Sequence, residues 1–278
     1  MRFEEFLEEC SRAQIVVLGP QRAGKTSLVY SVSHLGKTLG IEAEEGVHAA
    51  ADYINADNLE IETFTKKVKK DGRWIPLPPD KQPPTRERTA QLVMKAYTGG
   101  YDFVVVDSLT EVAGKFENEF ARKGMPEQRD WYKIIEGMKM FVDDLKNGNF
   151  HLLCTCIAAP PKEGSMIEIS PSLPGQLREQ MLGKFQSIVL MSYNKKEKKR
   201  MLVVNDPARG LCDRFHSFGD AYAVDVTHKP LEAVKTLIEG ATGGAAKKSA
   251  LARRDEPVGK VSKVTRRARP IRRATISR

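Results

Sequence analysis

The chain has 278 residues, 41% hydrophobic and 29% charged, enough for one large domain with appendages and a sizeable core. Its four cysteines contain no CxxC pair and its five histidines no HExxH spacing, which argues against a disulfide scaffold and a zinc site. Acids fill the N-terminal MRFEEFLEEC, the longest apolar run (150–159) is half of the roughly 20 residues that span a bilayer, and the net charge of +9 is concentrated at the C-terminus, so a reducing, cytoplasmic protein with no membrane role is expected.

In chain order, a short amphipathic helix is predicted near residues 3–10, with Phe3, Phe6, Leu7 and Cys10 on one side, then a strand over 14–18. A Gly-rich turn leads to a helix over 25–35, a strand over 38–43, a helix over 48–54 and a strand over 59–64. Residues 65–87 form an excursion, with a DG hairpin signal in Lys69-Lys-Asp-Gly-Arg-Trp74 and a proline-rich loop over 76–84. A helix around 88–97 returns the chain to 102–106, an apolar run without alternation, as in a central strand buried on both faces.

The helix over 129–146 has the clearest periodicity, with Trp131, Ile134, Ile135, Met138, Phe141, Val142 and Leu145 on one stripe. A buried strand over 151–157 follows, then an antiparallel hairpin of 188–193 with 201–204. Apolar strands alternating with helical patterns predict an α/β fold, a mostly parallel sheet with helices on its faces. Residues 241–278 carry twelve Lys/Arg against two acids and no aromatic residue, so they are predicted to be a disordered basic tail of +10, leaving −1 on the domain over 1–240.

Gly19-Pro20-Gln21-Arg22-Ala23-Gly24-Lys25-Thr26 fits G-x-x-x-x-G-K-[ST], the phosphate-binding P-loop, with a strand before it and a helix after it. Each residue type follows from that work. Glycines allow close backbone approach, Lys25 neutralises β/γ-phosphates, Thr26 offers its hydroxyl to Mg²⁺, and Ser27 can reach the α-phosphate. Asp107, at the end of Phe103-Val-Val-Val106, is the candidate second carboxylate for the metal, although Ser108-Leu-Thr-Glu111 also has capping-box spacing.

Hydrolysis needs a group that orients or deprotonates water. Ile41-Glu-Ala-Glu44-Glu45-Gly46 ends the second strand, and Glu44 leads Glu45 for that role. Asn194-Lys-Lys-Glu197 resembles a guanine-reading NKxD, but Glu replaces Asp and Thr110 stands where a D-x-x-G switch needs Gly, so a hairpin turn is expected there and a GTPase is the lesser alternative.

The order of these segments resembles the RecA-like core ATPases, most closely short phage-encoded versions associated with single-strand annealing and recombination. The resemblance rests on Gly19 to Ser27, Ile41 to Gly46, Val104-Val-Val-Asp107-Ser108-Leu-Thr, Arg129-Asp-Trp131, the strand from His151, Pro171-Ser-Leu-Pro-Gly175 and Asp213-Arg214. It implies a three-layer sandwich with a C-terminal antiparallel hairpin, hydrolysis of ATP with Mg²⁺, and homo-oligomeric rings or filaments. It also implies single-stranded DNA held by two loops, here 109–128 (Lys115, Arg122, Lys123) and 159–183 (Lys162, Arg178), with Lys184 just beyond, and with the basic tail adding salt-dependent affinity. Arg209 and Arg214 are candidates for a finger reaching a neighbouring subunit. The strand from His151 ends Ile157-Ala-Ala159-Pro160, apolar where RecA-like chains commonly place a polar γ-phosphate sensor. That departure leaves room for a nucleotide-dependent assembly module with little hydrolysis.

Overall fold

The computed structural model describes residues 12–44, 46–78, 81–120, 126–159, 169–206, 211–213, 217–219 and 221–242. The helix predicted near 3–10 and nearly all of the basic tail lie outside them.

Strand β1 (Gln14–Gly19) runs into the turn that precedes helix α1 (Lys25–Tyr30), and a 3-10 turn (Ser31–His34) continues it. The predicted single helix over 25–35 tightens there because Ser31 and Ser33 donate their hydroxyls to the carbonyls of Leu28 (2.7 Å) and Tyr30 (2.9 Å), three residues back. Strand β2 (Thr38–Glu42) follows, then a 3-10 segment (Val47–Tyr53) where an α-helix was expected, then β3 (Leu59–Thr63).

The excursion is a separate two-stranded ribbon of β4 (Lys67–Lys70) and β5 (Arg73–Pro76). Helix α2 (Thr85–Thr98), β6 (Phe103–Asp107), α3 (Leu109–Phe120), α4 (Gln128–Lys146) and β7 (His151–Ala159) come next. The short β8 (Ser170–Pro171) and α5 (Leu177–Leu182) precede β9 (Ser187–Asn194) and β10 (Lys199–Val203). The described chain closes with β11 (Asn205–Asp206), β12 (Leu211–Asp213), β13 (Ala223–Asp225) and α6 (Pro230–Ala241).

In the main sheet β9, β1, β7, β6, β2 and β3 lie side by side and parallel, while β10 and β12 pair with β9 antiparallel. The expected C-terminal hairpin is therefore present. Alternation along the strands divides the core in two. Val16, Leu18, Leu39, Ile41, Val104, Val106, Leu152 and Cys154 face α2, α3 and α4, where the predicted stripe of Ile134, Met138, Phe141, Val142 and Leu145 is buried. Ile15, Val17, Phe103, Val105 and Leu153 face α1 and α6. Three layers result.

One expectation is corrected here. Residues 109–128, expected as a DNA loop, are helix α3 over Leu109–Phe120, and α4 begins at Gln128. Leu109, Val112, Ala113 and Phe116 repeat at helical spacing and are buried, and the Glu111 amide donates to the Ser108 hydroxyl at 3.4 Å, so the capping-box reading of Ser108 also holds. Lys115 sits on that helix, half-buried, while Arg122 and Lys123 lie outside the described residues. The second expected loop, 159–183, is likewise part structured: β8 pairs with β7, and α5 carries Arg178, whose Nε donates to the Leu173 carbonyl at 3.4 Å. Lys162 lies outside the described residues.

Candidate functional site

Strand parity decides which side chains meet. Phe103, Val105 and Asp107 of β6 point to the α1 face, as do Leu153 and Thr155 of β7 and Gly40 and Glu42 of β2. The turn between β1 and α1 lies at the carboxyl ends of the same strands.

In that turn Arg22 (φ 62°) and Gly24 (φ 99°) are left-handed, the backbone form that builds a concave anion nest. Gly19 is required by close approach, because a Cβ there would stand 2.5 Å from the Met191 carbonyl oxygen of β9. Lys25 is buried, and its Nζ donates to the carbonyls of Gly19 (3.0 Å) and Pro20 (2.9 Å), arching back over the loop. Burial pushes the Lys25 ammonium down from its ordinary value, opposed by Asp107 and Glu44, so both carboxylates lie within its field.

Asp107 is 2% exposed and held from both sides. Thr26 Oγ1 donates to its Oδ2 at 2.8 Å, and Thr155 Oγ1 donates to its Oδ1. The strand of Asp107 is not next to that of the turn: β7 lies between β1 and β6, and Thr155 is the group that spans the gap. Burial raises the Asp107 carboxyl above the ordinary range, against the two threonine hydrogen bonds, and the Glu44 charge raises it further. Glu44, the leading candidate for water activation, is exposed and accepts a hydrogen bond from Ser108 Oγ. Glu45 lies outside the described residues.

A threonine hydroxyl beside a carboxylate is an all-oxygen donor set suited to a hard cation such as Mg²⁺, and the nest with Lys25 suits phosphate, so the residues present fit Mg²⁺ and a nucleoside triphosphate.

A family described as "AAA domain" matches residues 11–218, which takes in the turn, Glu44, Asp107 and the β9–β10 hairpin. The chain belongs to that family. No curated protein matches it. Membership makes this an AAA-type, P-loop NTPase domain, a class of ATPases that bind nucleotide. Among the described residues no helix is long and apolar enough to cross a membrane.

Within this AAA domain three features escaped the motif reading. Thr155 is a hydroxyl within an otherwise apolar run, and its parity with Asp107 was the available signal. Arg200 of β10 stands over Gly24, its Cδ, Nε and Cζ within 3.0–3.4 Å of where a Cβ would be; only the hairpin register puts it there, so nothing local announces it. Asn194 Oδ1 accepts from the amides of Lys196 (3.1 Å) and Glu197 (3.3 Å), closing the β9–β10 turn as the hairpin reading expects. Arg209 and Arg214 lie outside the described residues.

The third is Glu42. It is 1% exposed, sits opposite Asp107 in register, accepts from the Tyr30 hydroxyl at 3.3 Å, and leaves Oε2 without a partner among the described residues. Tyr30 can lie there because Gly40 leaves the space: a Cβ would be 2.7 Å from the ring. Burial, with the Asp107 charge adding to it, pushes the Glu42 carboxyl from 4.5 up to about 7.

Two outcomes follow from this geometry. A carboxyl raised on folding stabilises fully below its unfolded value of 4.5, and that contribution is lost as pH rises through about 7. Glu42→Gln is therefore expected to be more stable than the parent by about 1–3 kcal/mol at alkaline pH, the gap closing in acid; urea unfolding of metal- and nucleotide-free protein across that range checks it, and a pH-independent gap contradicts it. Arg200→Ala is expected to weaken ATP binding roughly tenfold, the scale of one hydrogen bond to a charged group, read by equilibrium dialysis; unchanged affinity would place the guanidinium outside the nucleotide's reach.

Proposed function

We propose that this chain is a Mg²⁺-dependent ATPase of the RecA-like kind that acts on single-stranded DNA in phage-type recombination, annealing or repair, assembled as a homo-oligomeric ring or filament. The observation that carries the ATPase part is the 2.8 Å contact of Thr26 with Asp107, which joins the phosphate-binding turn to the β6 carboxylate. Gly19 to Ser27 would enclose the triphosphate, with Thr26 and Asp107 holding the metal, Asp107 through a water. Mg²⁺ bound there supplies positive charge to the β- and γ-phosphate oxygens.

Lys25, already between its own loop carbonyls and the two carboxylates, neutralises charge that builds on the phosphate oxygens as the terminal bond breaks. Glu44 orients the attacking water and accepts its proton at a carboxylate oxygen, with Ser108 fixing the side chain. Support for the DNA part comes from charge: the tail over 241–278 carries +10.

A second reading, an assembly module that binds ATP and hydrolyses little of it, is favoured by the apolar end of β7 over Ile157 to Ala159. Turnover measurements separate the two. The parent protein is expected to hydrolyse ATP faster when single-stranded DNA is added, and Lys25→Ala to lose at least about a hundredfold in kcat, as expected when a transition-state charge partner is removed. Binding without turnover would support the assembly reading, and undiminished turnover in Lys25→Ala would remove the P-loop from the chemistry.

A further inference from the structure

The ribbon of β4 and β5 takes no part in the nucleotide site. Among the described residues its strands pair only with each other, and it follows β3, whose last residue Thr63 lies in register with Glu42, at the carboxyl edge where Asp107 and the phosphate turn also lie. Residues 66–76 hold Lys66, Lys67, Lys69, Lys70 and Arg73 against Asp71 alone, a charge of +4, while the rest of the chain up to residue 240 sums to −5. The ribbon is thus a local basic feature on an acidic domain.

Its aromatic residue is placed where a core would not put one. Trp74 is 67% exposed and lies directly across from Lys69, with Lys70 opposite Arg73 in the next register position. Lys69, Lys70 and Arg73 make no ion pair among the described residues, so their charges are not spent within the domain. Exposing an indole costs the hydrophobic stabilisation that burial would give, on the order of 2 kcal/mol, and neither face of the ribbon packs it away.

The ribbon's root is fixed. Gln82 Oε1 accepts from the Lys66 amide (2.9 Å), and its Nε2 donates to the carbonyls of Lys66 (3.0 Å) and Leu77 (2.9 Å), while the Leu77 amide donates to the Lys66 carbonyl (2.8 Å). One side-chain amide thereby closes both ends of the excursion and sets the ribbon's direction. The type of element, two strands with cations beside an exposed indole, matches the chemistry of a single nucleic-acid strand: phosphates at regular spacing and bases with free π-faces.

We propose that the β4–β5 ribbon is a binding site for single-stranded nucleic acid, with Trp74 stacking on a base and Lys69, Lys70 and Arg73 on the flanking phosphates. This extends the DNA part of the reading above and is independent of the hydrolytic site. The recognition is sequence-tolerant, because every base offers a face to the indole.

The test uses full-length protein and oligothymidylate of about 30 nucleotides, a length covering several site sizes, with anisotropy read across roughly 50–200 mM salt. Trp74→Ala is expected to weaken binding about tenfold, and Lys69→Ala/Lys70→Ala/Arg73→Ala to make the log K against log salt slope shallower by about 2. The strand should quench tryptophan fluorescence in the parent and not in Trp74→Phe. ATP turnover without DNA stays at the parental rate in all three, which certifies their folding. If the parent binds the strand and the variants bind it equally, with the same slope, the ribbon assignment is overturned and the DNA reading stands. If the parent turns over ATP and does not bind the strand, both fall. A duplex of the same length bound as tightly as the strand, with Trp74 unquenched, also overturns the assignment.

Discussion

The structure turns on one buried carboxylate held by two threonines. Asp107 lies at the end of a strand separated from the phosphate turn by β7, and an unpaired carboxylate at 2% exposure would be costly. Thr155 of the intervening strand and Thr26 of α1 satisfy one oxygen each. That arrangement ties both α1 and β7 to the end of β6, and Lys25 and Glu44 share its electrostatic neighbourhood. The order β1, β7, β6 means that the site cannot form until the whole centre of the sheet has assembled.

Around this tie, polarity increases from the core outward. Glu42, opposite Asp107 and likewise buried, has a tyrosine hydroxyl for one oxygen, and burial opposes its ionisation. Glu44, two residues on, is exposed and guided by Ser108. Two carboxylates on one strand end thus fall into different environments, one kept from water and one open to it, and only the second has the access that water chemistry needs. Arg200 adds a cation on the other side of the turn. The turn therefore has Lys25 and Arg200 as neighbours, a polarity suited to a polyanion.

Much of this was legible in the sequence. Periodicity located the seven principal strands of the sheet and the stripe of α4, and the G-x-x-x-x-G-K-[ST] spacing located the turn, because both depend on neighbours close in the chain. The capping-box spacing and the carboxylate belong to neighbouring residues: Ser108 caps α3, while Asp107 beside it faces Thr26. What was not legible depends on register between distant strands: Thr155 under Asp107, Arg200 over Gly24. The DNA loop expected over 109–128 was misread because a motif-based likeness was given more weight than the i, i+3, i+4, i+7 spacing of Leu109, Val112, Ala113 and Phe116. A short 3-10 turn over Ser31–His34 replaced helix where serine hydroxyls compete for the backbone carbonyls.

The central claim is that the Thr26 hydroxyl and the Asp107 carboxylate together form the metal end of a nucleotide site. The most direct measurement is a crystal structure with Mg²⁺ and a non-hydrolysable ATP analogue. The account predicts the triphosphate inside Gly19 to Ser27, Thr26 Oγ1 at about 2.1 Å from the metal, and Asp107 hydrogen-bonded to a water on that metal. A triphosphate bound elsewhere, or a metal with neither Thr26 nor Asp107 in its surroundings, would contradict it.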